Sequence, residues 1–132
     1  MKVKNKLIYS DVNLDSIKLL PDGRTIELIF LDMYKGLEIG KITCANVYSF
    51  CYQNTFEENE GLACYIGEVG YEVIKPDEYA TFLELNNYSF LGRGGSTYEP
   101  KEAELYKLHL ESGDVMLDVI CGEFTNTETN SE

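Results

Sequence analysis

Cations and histidine are scarce in this chain, and tryptophan is absent: 11 basic residues stand against 23 acidic ones, with one histidine, in 132 residues. The imbalance gives a formal charge of −12 and a pI near 4.4. Nucleic acid and anionic lipid are thereby excluded as partners, because both are held by local positive potential. A basic protein is attracted instead. With His109 alone, a multi-histidine metal centre is ruled out, and zinc would need four dispersed cysteines to converge from distant segments. No CxxC or other paired spacing occurs among Cys44, Cys51, Cys64 and Cys121. Each lies in an apolar or aromatic stretch, where a reduced thiol behaves as a small hydrophobe, so all four are expected as buried free thiols.

Long apolar runs are missing too. "LIFL" at Leu28–Leu31 is far short of the about 20 residues needed to cross a bilayer as a helix. The opening "MKVKNKLIYSDVNLDS" begins like a signal peptide but turns polar after Tyr9. These features predict a soluble, cytoplasmic protein.

What is present is strand texture. Hydrophobic residues make up 44% and charged residues 26% of the chain, the balance of a globular domain. One domain over residues 1–124 is expected, followed by a polar, disordered tail at 125–132. "LDSIKLL" and "RTIELIFLDMY" flank "PDG" at Pro21–Gly23, where proline presets the turn and glycine accepts positive φ. The pattern predicts a hairpin whose second strand, at Leu28–Leu31, is covered on both faces. In "KITCANVYSFCYQ" a bulky set (Ile42, Cys44, Asn46, Tyr48, Phe50, Tyr52) alternates with a smaller one, predicting two distinct faces and placing Cys44 and Cys51 on opposite sides. "LACYIGEVGYEVI" puts Tyr65, Val69, Tyr71 and Val73 on one parity. "KPDEYATFLELNN" reads as one helix from Pro76, with Asp77 and Glu78 at its positive end and Tyr79, Phe82 and Leu83 as its apolar stripe.

"YKLHLESGDVMLDVIC", Tyr106–Cys121, predicts a second hairpin. With a two-residue loop at Ser112 and Gly113, Leu108 pairs with Leu117, Tyr106 with Val119, Lys107 with Asp118 and His109 with Met116. Cys121 then lies roughly 16 Å along the sheet from His109, which excludes a dyad between them. His109 is expected at the surface.

Other constellations are weak. Glu57, Glu58 and Glu60 lack the ligand spacing of an EF-hand. "GRGGS" at Gly92–Ser96 lacks the lysine of a P-loop and reads as a connection. No cofactor is implied, and no arrangement of carboxylates marks a catalytic centre. Ten tyrosines supply rigid apolar bodies with polar tips, suited to a recognition face where they lie outside the core.

The segments "KITCANVYSFCYQ" and "YKLHLESGDVMLDVIC", with a helix after a central sheet, resemble the small, acidic, strand-rich immunity proteins encoded beside bacterial polymorphic toxins. That resemblance implies a cytoplasmic protein without enzymatic activity that blocks a toxin domain, often a basic nuclease. The expected fold is α+β and β-rich: a single curved, mostly antiparallel sheet of about six to eight strands, as a partly open barrel or roll, with one helix. The expected function is binding of a basic protein partner through Glu57, Glu58, Glu60, Tyr65, Glu68 and Glu72. The alternative is a barrel that binds a small ligand without catalysis.

Overall fold

The computed structural model describes residues 6–55, 62–79, 93–96 and 104–129. Among the described residues six strands carry the fold: β1 Lys6–Leu19, β2 Ile26–Asp32, β3 Glu38–Asn54, β4 Tyr65–Ile74, β5 Leu105–Glu111 and β6 Val115–Glu128. They pair antiparallel throughout, in the order β1-β2-β3-β6-β5-β4, and β4 returns to β1, so the sheet closes on itself as a barrel. The expected partly open sheet is therefore closed, which removes exposed sheet edges along the paired stretches.

Local chemistry sets the turns. Between β1 and β2, Gly23 sits at φ 74°, and the Asp22 carboxylate accepts hydrogen bonds from the Arg24 and Thr25 amides (3.0 and 3.1 Å) and the Thr25 hydroxyl (2.7 Å). Between β2 and β3, Asp32 accepts from the Lys35 amide at 2.7 Å, and Gly36 takes φ 68°.

Apolar side chains fill the interior. Leu28, Phe30, Ile42, Ile66, Leu110 and Leu117 are among those with no exposed surface, each worth about 1.5–3 kcal/mol of burial. Aromatic rings gather around Tyr71 at one end, with Phe124 edge-on at 4.8 Å and Tyr106 at 6.2 Å. A smaller cluster of Ile74, Leu105 and Ile120, with Tyr48 and Tyr79 against it, lies on the outer side of the wall.

Several sequence expectations need correction. Leu28 and Phe30 point inward, while Ile29 and Leu31 are only half-buried, so β2 is covered fully on one face. The two faces of β3 do not run its full length: Asn46 adopts φ 53° and is exposed, and Val47 joins the interior cluster in its place. In β4, Tyr65 is exposed while the neighbouring Ile66 is buried, so Tyr65 does not share the face of Val69. Strand β6 continues through Glu128, paired to Gly40 of β3, so residues 125–128 are sheet and not a disordered tail. The polar run Thr125–Glu128 is held by backbone bonds that do not depend on its side chains. Of the expected helix, Pro76–Glu78 form a 3-10 turn, and the remainder from residue 80 lies outside the described residues.

The second hairpin is also displaced. The Ser112 amide donates to the Val115 carbonyl at 2.9 Å, which makes Gly113 and Asp114 the loop residues instead of Ser112 and Gly113. Leu108 thus faces Val119, Tyr106 faces Cys121, Lys107 faces Ile120 and His109 faces Asp118. The physical reason is the Ser112 hydroxyl, which accepts from the Asp114 and Val115 amides at 3.2 and 3.1 Å and so makes serine the turn's first residue. Moving the loop by one residue moves each pairing by two, which preserves the inward set.

Candidate partner-binding face

The corrected register builds a polar cluster on the outer wall. On β5, His109 lies between Gly70 of β4 and Asp118 of β6, with Glu111 two residues along its own strand. Its Nδ1 contacts the Asp118 carboxylate, and its Nε2 is 3.2 Å from Glu111 Oε2. The Asp118 hydrogen bond is the largest influence and raises the His109 pKa above its usual value; partial burial opposes this, and Glu111 adds to it. Glu68 of β4 lies directly opposite Glu111, and Ser10 of β1 flanks it on the other side. With His109 protonated, Glu68, Glu111 and Asp118 still leave the cluster negative.

Glycine shapes the ground beside it. Gly70 has no side chain to fill the wall between Leu7 and His109, and a depression of 180 Å³ results, lined by Leu7, Glu68, Gly70 and His109. Leu7 is 62% exposed at its rim. Among the described residues, no group of three or more histidine, cysteine, aspartate and glutamate side chains is arranged to hold a metal ion. No helix among them is long and apolar enough to cross a membrane.

Of the residues expected to bind a partner, the described ones, Tyr65, Glu68 and Glu72, are spread along β4. Glu57, Glu58 and Glu60 lie outside the described residues. Glu68 stands in the His109 cluster; Glu72, half-buried, faces Lys107. Tyr65 begins β4, seven residues and roughly 23 Å of strand from Glu72. Its hydroxyl donates to Asp11, a contact that raises the tyrosine pKa, and Asp11 itself sits at φ 51°. Glu111, Asp118 and His109 were missed as a group. The signal that would have found them is the alternative two-residue loop, Gly113–Asp114, which sets the one histidine beside a carboxylate.

The cysteines divide. Cys44 and Cys121 are buried inside the barrel, whereas Cys51 and Cys64 are exposed, contrary to the expectation that all four are buried; all four are unpaired. Their burial differs because Cys51 pairs with Asp118 on the outer wall, and Cys64 precedes β4. Cys121 contacts Cys44, and that contact together with burial pushes its thiol far above the ordinary range. His109 and Cys121 face opposite sides of the wall, so they make no dyad.

No curated protein matches this sequence. Among solved structures, an uncharacterized protein from Neisseria gonorrhoeae is similar in fold, with a TM-score of 0.62 and 17% identity over 93% of this chain and 96% of that one. A family model described only as "-like" matches residues 7–128, most of the chain, and the protein belongs to that family.

Proposed function

We propose that this protein is a non-enzymatic binding protein whose acidic outer wall docks a basic protein. The single observation that carries this reading is the gathering of Glu68, Glu111 and Asp118 from three adjacent strands around His109, beside the depression over Gly70. Carboxylates so grouped attract a basic surface, speed its encounter and make binding salt-sensitive. Both ring nitrogens of His109 face carboxylates, which suits a charge-holding role better than proton transfer to a substrate. Interior positions filled by apolar side chains favour recognition on the outside of the barrel over a ligand within it. Four unpaired cysteines fit a reducing compartment such as the cytoplasm. Neutralisation of a basic toxin domain, as in the immunity proteins that the sequence resembles, is the specific form of this proposal.

The test is a comparative pull-down from a lysate of the source organism, using the native protein and the Glu68→Lys/Glu111→Lys variant at low and at physiological salt. One basic protein recovered in near-equal amount by the native form, and lost with the variant, is the expected result. Equal recovery by both forms, or recovery insensitive to salt, would overturn the assignment to this face.

A further inference from the structure

At the end of the barrel where β2 turns into β3, the surface becomes aromatic. Tyr34 is 86% exposed, Leu37 49%, Tyr65 40% and Met33 36%. Such exposure of a tyrosine is common on a floppy loop, but this loop is fixed by its backbone. The Lys35 amide donates to the Asp32 carboxylate (2.7 Å), the Gly36 amide to the Asp32 carbonyl (2.9 Å), and the Asp32 amide to the Leu37 carbonyl (2.8 Å).

Topology brings Tyr65 to the same place. Val12 of β1 pairs with Asp32 on one side and with Ile66 on the other, so the end of β2 and the start of β4 flank the same short stretch of β1. Within that stretch Asp11 takes positive φ, a costly choice for a non-glycine residue that is found at binding sites more often than elsewhere. Its carboxylate holds the Tyr65 hydroxyl, which fixes that ring. Exposed carboxylates near this end are Asp11 on β1, Glu38 at the start of β3 and Glu68 on β4; Lys35 is the exposed cation of the loop, and the exposed Lys6 and Lys18 of β1 lie five or more residues from Asp11 along that strand.

We infer that Tyr34 and Tyr65 form an arginine-accepting anchor, which takes arginine side chains from the basic partner. This rests on the reading that the partner is basic. Tyr65 is preordered by Asp11, Tyr34 is presented from a fixed backbone, and a tyrosine has few rotatable bonds to order on binding and is enriched where interfaces concentrate their energy. A guanidinium stacks on a tyrosine face and reaches a carboxylate with its remaining donors, which a lysine ammonium does less well. The acidic surroundings supply the charge complementarity, and the rings supply the preference for arginine over lysine.

The experiment uses the full chain, ¹⁵N-labelled throughout and with ¹³C-labelled tyrosine, and two probes: a short peptide alternating arginine with glycine, and its lysine counterpart. NMR titration is expected to move the Tyr34 and Tyr65 ring signals saturably, with the arginine peptide binding several-fold more tightly. Tyr34→Ala is expected to weaken the arginine peptide by about three- to tenfold and to leave the thermal melt unchanged, since the ring contacts solvent. If the two peptides bind equally, or if signals near His109 move while Tyr34 and Tyr65 do not, the anchor is refuted and the acidic-face reading stands. Binding of neither peptide would overturn both.

Discussion

Substituting Gly40 by alanine tests how tightly the barrel interior is fitted at its β3 end. Gly40 pairs with Phe30 on one side and Glu128 on the other, and a Cβ there would lie 1.8 Å from the Tyr9 hydroxyl oxygen and 2.7 Å from its Cζ. Neither contact is sterically possible, so the Tyr9 ring must leave. It would forfeit a 2.7 Å hydrogen bond to Asn126 and a ring contact with Phe30 at 5.1 Å between centroids. The hydrogen bond is worth about 1 kcal/mol, the ring contact about 1 kcal/mol, and the lost burial of a half-covered ring about 1 kcal/mol more. Gly40→Ala should therefore cost about 3 kcal/mol, or about 12 °C in melting temperature for a domain of this size.

Urea denaturation of a double-mutant cycle checks this cause. In a Tyr9→Ala background the space is already empty, and alanine for glycine within a strand should be neutral or stabilising by about 0.5 kcal/mol. Tyr9→Phe removes only the nearest atom and should relieve the clash in part. Additive costs across the cycle, or a Gly40→Ala cost below about 0.5 kcal/mol, would refute the steric reasoning.

Three further outcomes follow from the structure. Because the folded-state pKa of His109 is raised above the usual value of 6.5, its stabilising contribution is full below that value and is lost as pH rises through the folded pKa. Thermal melts should fall across that window and flatten in His109→Gln; a rise with pH would contradict the contacts with Asp118 and Glu111. Ellman titration of the native protein should modify Cys51 and Cys64 promptly, and Cys44 and Cys121 only after denaturation, since only the first two are exposed. Prompt reaction of all four would mean that the interior opens readily. Phe30→Ala, at a fully buried position, should destabilise by about 3–5 kcal/mol in the same urea assay, and a cost under about 1 kcal/mol would show that the site is not packed as described.

Much of the strand framework was legible. Alternation in "YKLHLE" and "VMLDVIC" gave the correct inward set, and "PDG" gave the first turn, because residue period and turn chemistry are local properties. Register was not equally legible. A two-residue loop at Ser112–Gly113 and one at Gly113–Asp114 both keep leucines and valines facing inward, and hydrophobic pattern alone cannot separate them. The choice rests on the Ser112 hydroxyl, and with it goes the position of the one histidine. The irregularities at Asp11 and Asn46 were hidden for a different reason: neither residue is glycine, so nothing in the local sequence marks positive φ there.

Charge, strand-rich character and most of the buried positions follow from composition and residue period alone. Only the assembled fold makes the sheet close, gathers Glu68, Glu111 and Asp118 around His109, and sets the start of β4 near the end of β2 across β1. Each of those juxtapositions joins residues from strands distant in sequence, and their distance in space is set by register and closure, which only the assembled barrel fixes.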